Sequence, residues 1–209
     1  IIMNDLYIQF ISIAIIHIFA VMSPGPDFAI IVKQSISHGR KAALTTSVGI
    51  GTGILMHITL CMLGLGIIIA SSNFLLHLIK ILGASYLMYI GIKSIIDHND
   101  FQDFNIHNIS KSSTFESFKL GFLTNLLNPK ATLFFLSLYG IIISGETTLP
   151  IQALYGIWMA IITTLWFSFL SIVLTKRTII QKIQNISSKI QIGTGVILII
   201  FAFKLLFSN

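Results

Sequence analysis

Residues 22–28 read MSPGPDF and interrupt the first apolar run of the chain, and residues 121–131 read GFLTNLLNPKA and interrupt the fourth. In each stretch a proline directly precedes a charged residue, Asp27 in the first and Lys130 in the second. Proline lacks a backbone donor and releases a carbonyl one turn earlier. Unsatisfied backbone groups are costly in hydrocarbon, so such breaks are tolerated only against protein or a water-filled cavity. The two stretches therefore predict broken membrane helices beside a cavity, with a simple proline kink as the alternative for the first.

The composition around these stretches is that of a membrane protein. The chain has 209 residues, of which 55% are hydrophobic and 10% charged, and its mean hydropathy is +0.91. A soluble domain carries about 25% charged residues, and a disordered chain combines low hydrophobicity with high charge. Both classes are therefore excluded. The net charge of +6 is explained by basic cytoplasmic loops, which membrane proteins commonly have, and we expect no nucleic-acid partner.

Six apolar segments are suited to crossing a bilayer core, which needs roughly 20 residues per helix. The predicted transmembrane spans are residues 6–32, 42–69, 75–96, 118–141, 149–174 and 190–208. The first segment lacks a positively charged start and carries Asp5. We therefore expect it to remain as a span rather than to be cleaved as a signal peptide.

Basic residues are concentrated on one side of these spans. Ten of the thirteen lie in or around the loops after spans one, three and five, at Lys33, Arg40, Lys41, Lys93, Lys111, Lys119, Lys176, Arg177, Lys182 and Lys189. The positive-inside rule places these regions in the cytoplasm, and an even number of spans then leaves both termini outside. Residues 97–117 form a polar cytoplasmic linker that joins two three-helix repeats, 1–96 and 118–209, of one membrane domain.

The two interrupted stretches lie at matching points of the two repeats. Superposing Pro26 on Pro129 is an offset of about half the chain, and it places Asp27 on Lys130. Spans three and six show a weaker correspondence in their glycines, Gly83 and Gly193. Three spans per repeat force the repeats to run in opposite directions through the membrane. Inverted repeats with matching helix breaks are typical of secondary transporters, whose binding site lies where the repeats meet.

The charges at the two breaks are the leading candidates for function. A charged residue deep in a span costs about 2.5–3.5 kcal/mol on insertion, so such residues usually mark transport pathways or ion pairs. Our hypothesis is that both charges face a central cavity, where they bind the two ends of a zwitterion or change protonation during transport. A structural pair, or an interfacial helix cap in the case of Asp27, is the alternative. The predicted substrate-binding and translocation residues are Pro24, Gly25, Pro26, Asp27, Asn125, Asn128, Pro129 and Lys130.

Two further patterns favour packing over chemistry. His57 and Cys61 share a helix face at the i, i+4 spacing of metal ligands, but the sequence offers no second ligand pair, and we expect no metal site. The function of His17 in the first span is left open. Residues 49–53, GIGTG, contain the GxxxG spacing of closely approaching membrane helices, and the glycines at 193 and 195 are given the same interpretation.

The two broken stretches together resemble those of the LysE/RhtB-type amino-acid exporters, and look closest to the threonine efflux members. The resemblance rests on MSPGPDF at 22–28, HGRKAA at 38–43 and GFLTNLLNPKA at 121–131, and it covers almost the whole chain. It implies export of small amino acids such as threonine or homoserine across the bacterial inner membrane, in exchange for protons. The eight candidate site residues named above are those that match the motifs of this family.

Other functions receive less support from the residues. A cation exporter on a related scaffold is the main alternative, but divalent cations prefer several carboxylate ligands and Asp27 is the one acid well inside a span. An intramembrane enzyme would need a nucleophile with its base or a metal triad, and no such motif occurs. We expect no enzyme activity and no cofactor. The lipid bilayer, the substrate and protons are the expected partners, and a homo-oligomer is left open.

Overall fold

The computed structural model describes residues 2–71, 73–96, 113–143, 147–174, 189, 192–200, 202–203 and 206, and within them it contains helices and short connections without strands. The helices are α1 (Ile2–Met22), α2 (Pro26–Ser37), α3 (Gly39–Ser71), α4 (Asn73–Ile96), α5 (Thr114–Leu126), α6 (Pro129–Ile143) and α7 (Leu149–Val173). Residues 192–200 are also helical and are called the C-terminal helix below. The predicted all-α class is confirmed, whereas most of the predicted linker lies outside the described residues.

The first predicted span is a bent pair of helices. α1 ends at Met22 and α2 begins at Pro26, and the two helix axes differ in direction by 51°. Gly25 is the N-cap of α2 in extended backbone, and Pro26 occupies the first helical position. Proline suits that position because its missing donor would have no partner within the helix. The break predicted from MSPGPDF is therefore present.

The fourth predicted span is broken as well. α5 ends at Leu126, and α6 begins three residues later at Pro129. The side chain of Asn128 caps α6, because its Oδ1 accepts a hydrogen bond of 3.0 Å from the backbone N–H of Lys130. Asparagine is a preferred N-cap residue for this reason. At both breaks one helix ends and a second begins at a proline, which is preceded by glycine in the first break and by asparagine in the second.

Helix α5 starts four residues before the predicted span. Ser113 and Glu116 form a capping box, in which the serine side chain accepts from the N–H of Glu116 and the glutamate accepts from the N–H of Ser113. This pairing satisfies two donors that have no partner within the helix. The predicted boundary at residue 118 was wrong for the helix itself because hydropathy marks where the membrane begins, whereas the cap marks where the helix begins.

Length and composition identify some of the helices as membrane spans. Within the described residues, Gly39–Gly64 and Leu149–Val173 are long and apolar enough to cross a bilayer, and the bent pair Leu6–Met22 with Pro26–Ser37 makes a third. Ile81–Ile96 and Lys130–Tyr139 are shorter apolar helices. Large apolar side chains such as Tyr7 and Leu63 are about two-thirds exposed, which is the expected state of a surface that faces lipid.

Glycines allow α3 to pack closely on two neighbours at once. A Cβ at Gly49 or Gly53 would collide with α5, and a Cβ at Gly51 would collide with Thr164 of α7. On the facing side of α5, a Cβ at Gly121 would collide with the backbone of α3. The packing role predicted for the GxxxG segment is therefore confirmed, since small residues let helix backbones approach.

The glycines of the C-terminal helix behave differently from each other. A Cβ at Gly195 would collide with α4 at the carbonyl of Gly91 and at Ile95, so this glycine has the predicted packing role. Gly193 has open space around its Cβ position within the described part of the chain. The packing role predicted for Gly193 is therefore not seen there. Gly83, its proposed counterpart, packs tightly against Ser137 of α6, so the two positions do not share an environment.

Candidate functional site

A cavity of about 60 Å³ lies between the helices, beside both breaks. On the same measure one buried water needs roughly 10–15 Å³, so the cavity holds several waters or the polar head of a small solute. Its apolar wall includes Phe134, Phe135 and Phe167. Its polar lining residues are His17, Ser23, Asp27, Asn125, Asn128, Lys130 and Thr163.

Most of the predicted site residues meet at this cavity. Gly25, Asp27, Asn125, Asn128 and Lys130 line it. The carbonyl of Pro24 contacts one of these lining groups, Lys130, and thus belongs to the same site. Pro26 is exposed and shapes the break without lining the cavity within the described residues, and Pro129 begins α6 with a side chain that lies outside the description.

The Lys130 side chain, from the second break, reaches back to the first. Its Nζ donates a hydrogen bond of 2.8 Å to Oγ of Ser23 and a longer one of 3.4 Å to the carbonyl of Pro24. A Cβ on Gly25 would lie 3.6 Å from the same Nζ, in ordinary contact. An ammonium group has three donors, so one N–H of Lys130 remains for another acceptor.

The Asp27 side chain, from the first break, reaches the second in the same way. Its Oδ2 accepts a hydrogen bond of 2.8 Å from Nδ2 of Asn125, in the last turn of α5. Its Oδ1 is shielded from solvent and makes no hydrogen bond of good geometry among the described residues, while the Asn128 side chain also interacts with the carboxylate. Burying an acceptor without a partner is unfavourable, so Oδ1 is an acceptor available to a bound cationic group.

The two breaks are therefore joined by a reciprocal pair of contacts. The anion on α2 bonds an amide of α5, and the cation on α6 bonds the connection between α1 and α2. Each charge is hydrogen-bonded to neutral polar groups of the opposite break, and the two charges also attract each other. Such bonds keep both charged groups beside the cavity while leaving bonding capacity on each of them.

Asn125 is held in place by α3. Nε2 of His57 lies 3.1 Å from the backbone carbonyl of Asn125 and donates to it, since a carbonyl only accepts. The His57 ring also stacks on Phe135, with 5.8 Å between ring centroids. Gly53 leaves room for the Asn125 side chain, because a Cβ there would lie 2.7 Å from Oδ1 of Asn125. His57 thus supports Asn125 from outside the charged pair.

The metal alternative for His57 and Cys61 finds no support in this geometry. His57 uses Nε2 to hold Asn125, and Cys61 lies in the hydrophobic core. Across the part of the chain that the structure describes, no three residues among His, Cys, Asp and Glu cluster as metal ligands.

Two lining residues were missed as site candidates. His17 of α1 is 1% exposed, and its Nε2 lies 2.9 Å from Oγ1 of Thr163 and 3.1 Å from the carbonyl of Met159. For both His17 and Thr163, the sequence feature that could have indicated a functional residue was a polar side chain within an apolar helix. The sequence does not show that Thr163, 146 residues further on, contacts His17 beside the cavity.

Comparison with known proteins places the chain among membrane translocators. The family model described as LysE type translocator matches residues 18–209. The chain is 32% identical to the uncharacterized membrane protein YrhP of Bacillus subtilis over 193 residues, covering 88% of this chain and 91% of that protein. It is also 32% identical to the threonine efflux protein of Escherichia coli over 163 residues, covering 76% and 78% of the two chains. No solved structure shows significant similarity.

Proposed function

Because this chain belongs to the LysE type translocator family, we propose that it is a secondary active transporter that exports small amino acids, such as threonine or homoserine, across the bacterial inner membrane in exchange for protons. Members of this family are membrane transporters and not enzymes, so the chain is a multi-pass membrane transporter. The similarity to a threonine efflux protein supports the choice of substrate.

The observation that carries the proposal is one cavity with a carboxylate and an amine at two helix breaks. A free amino acid is a zwitterion, so its site must offer an acceptor for the ammonium group and a donor for the carboxylate. Oδ1 of Asp27 makes no hydrogen bond of good geometry among the described residues and can accept from the ammonium group. The remaining N–H of Lys130 can donate to the carboxylate, because the bonds to Ser23 and Pro24 use two of the three donors of Nζ.

Transport requires that these bonds change during the cycle. In this structure Lys130 bonds Ser23 and Pro24, and Asp27 bonds Asn125. A bound zwitterion competes for both charged groups and so weakens the bonds that join the two breaks. Protonation of the Asp27 carboxylate also weakens its bond to Asn125. Substrate and proton thereby act on the same contacts, which is the requirement for exchange.

The architecture that we propose for this cycle is two inverted three-helix repeats, residues 1–96 and 118–209, with six spans and both termini outside. The matching breaks and the reciprocal bonds of Asp27 and Lys130 support it. In such transporters one repeat or bundle rocks against the other around a site near the bilayer midplane. The cavity beside both breaks is the site around which we expect this motion.

The experiment that tests the proposal is efflux from proteoliposomes. Vesicles containing the purified protein are loaded with labelled threonine, homoserine, lysine or leucine, and a pH gradient is imposed. We expect threonine or homoserine to leave fastest, at a rate that depends on the gradient, and protein-free vesicles to retain all four. Absence of gradient-dependent flux for every amino acid contradicts the proposal.

A further inference from the structure

His17 is a buried histidine that lines the cavity. It lies on the same face of α1 as Ala20 and Val21, three and four residues further on, and all three line the cavity. The ring is 1% exposed, and its Nδ1 has no hydrogen-bond partner among the described residues. The hydrogen bonds of Asp27 and Lys130 described above do not involve this atom.

The partners of Nε2 determine the chemistry of Nδ1. Nε2 lies 3.1 Å from the carbonyl of Met159, which can only accept, and 2.9 Å from the hydroxyl of Thr163. The ring therefore carries its hydrogen on Nε2, because a lone pair there would face the lone pairs of the carbonyl. In the neutral ring Nδ1 is then a pure acceptor, so its missing partner is a donor.

Three aromatic rings lie close to the His17 ring. The rings of Phe134, Phe135 and Trp158 each lie 6.1 Å from the His17 ring between centroids. Phe134 and Phe135 also line the cavity. A single acceptor in an aromatic wall suits a small side chain that combines a hydroxyl group with methyl or methylene groups.

His17 and the charged groups line one cavity. Ser23, whose Oγ accepts from the amine of Lys130, follows His17 by six residues and lines the same cavity. A substrate whose carboxylate is held by Lys130 therefore lies in the cavity that His17 lines.

We propose that Nδ1 of His17 accepts a hydrogen bond from a hydroxyl group on the substrate side chain, and that His17 thereby selects hydroxyl-bearing amino acids over apolar ones of the same shape. This proposal rests on the proposed export of small amino acids. Threonine and valine are the matched pair, since they differ by a hydroxyl in place of a methyl group. A bound valine leaves Nδ1 both desolvated and unpaired, which disfavours it.

The first arm of the test uses the native chain without any substitution. Unlabelled threonine and valine compete with labelled threonine for efflux from proteoliposomes containing the native chain. We expect valine to compete about tenfold less well than threonine, the effect of one lost hydrogen bond. Equal competition overturns the selection by His17 and leaves amino-acid export intact, whereas absence of any amino-acid flux overturns export and this proposal with it.

The second arm separates the two ring nitrogens. His17→Gln places an amide donor near the position of Nε2 and removes the acceptor at Nδ1, so the preference for threonine over valine should fall to near one. His17→Asn places an amide near the position of Nδ1 and should retain part of the preference. His77→Gln, on the exposed surface of α4, is the matched control and should keep the native ratio. A native ratio in His17→Gln overturns the proposal.

Discussion

The amine of Lys130 and the carboxylate of Asp27 each bond a break that lies about a hundred residues away in the chain. Lys130 bonds Ser23 across 107 residues, and Asp27 bonds Asn125 across 98. A buried charge requires such partners because an unpaired one is strongly unfavourable in a low dielectric. The same bonds keep the charges where a zwitterion can reach them.

Replacing Lys130 by methionine should abolish most of the transport. The substitution preserves side-chain bulk and removes the donor that we assign to the substrate carboxylate, so we expect flux at least about tenfold below native, the equivalent of one charged hydrogen bond. Lys119→Met is the control, because Lys119 is exposed on α5. Initial efflux rates at equal protein content measure both. If Lys130→Met and Asp27→Asn both transported at the native rate, neither residue would belong to the substrate site.

A Cβ at Gly53 should disturb the site through Asn125. In Gly53→Ala the new methyl group would lie 2.7 Å from Oδ1 of Asn125, so the amide must move and its bond to Asp27 must weaken. Overpacking of this kind costs about 1–3 kcal/mol, and we expect lower flux together with a lower free energy of unfolding.

Gly64→Ala is the matched control for Gly53→Ala on the same helix. No atom of the described chain lies within 4 Å of the Cβ position at Gly64. Alanine in a helix interior is favoured over glycine by roughly 0.5–1 kcal/mol, so this variant should keep its flux and unfold no earlier than the native chain. Loss of flux in Gly64→Ala, or native flux in Gly53→Ala, contradicts the packing explanation.

At the scale of elements, the start of α5 depends on its capping box. Ser113→Ala removes the side-chain oxygen that accepts from the N–H of Glu116, and loss of an N-cap side chain typically costs about 1 kcal/mol. Thr148→Ala is the control, since Thr148 is the N-cap of α7 but makes no side-chain cap bond. Thermal unfolding in detergent should show a lower midpoint for Ser113→Ala, and a change of equal size in Thr148→Ala would contradict it.

The same capping box should make stability depend on pH. Hydrogen bonds from the backbone and side chain of Ser113 lower the pKa of Glu116 below its ordinary value of 4.5. The charged form is therefore stabilised in the folded state, and this contribution is fully present above pH 4.5 and is lost as the pH falls through the lowered pKa. Glu116→Gln removes the titrating group.

The measurement for Glu116 is the unfolding midpoint of the native chain and of Glu116→Gln over a range of pH. We expect the advantage of the native chain to be constant above pH 4.5, the ordinary pKa, and to shrink at lower pH. An advantage that is independent of pH across that range would show that the charge of Glu116 does not contribute to the cap.

At the scale of the whole molecule, the predicted orientation in the membrane can be tested at two exposed threonines near helix starts. Thr114 lies in the predicted cytoplasmic linker, and Thr148 lies in the connection predicted to be outside. In Thr148→Cys we expect labelling of intact cells by a membrane-impermeant thiol reagent, and in Thr114→Cys labelling only after the membrane is opened. The native Cys61 is buried and serves as the background. The reverse pattern would contradict the predicted orientation.

Several features of this fold could be predicted because they depend on neighbours in the chain. The break before Asp27 follows from two prolines that lack donors, and the cap of α6 follows from Asn128 before Pro129. The close packing of α3 follows from the small residues of GIGTG, since a missing side chain has the same consequence on any apolar helix. The weaker correspondence of Gly83 and Gly193 did not predict their environments, because packing depends on which helix lies opposite.

By itself, the sequence determined the membrane class, the positions of the two breaks and the pair of charges beside them. These features follow from hydropathy, proline chemistry and the cost of charge in lipid, all of which act locally. Only the tertiary structure decided that Lys130 bonds Ser23, that Asp27 bonds Asn125 and that His17 lines the same cavity with no partner for Nδ1 among the described residues. Those bonds join helices distant in the chain, and their partners depend on how the helices pack, which local propensities do not specify.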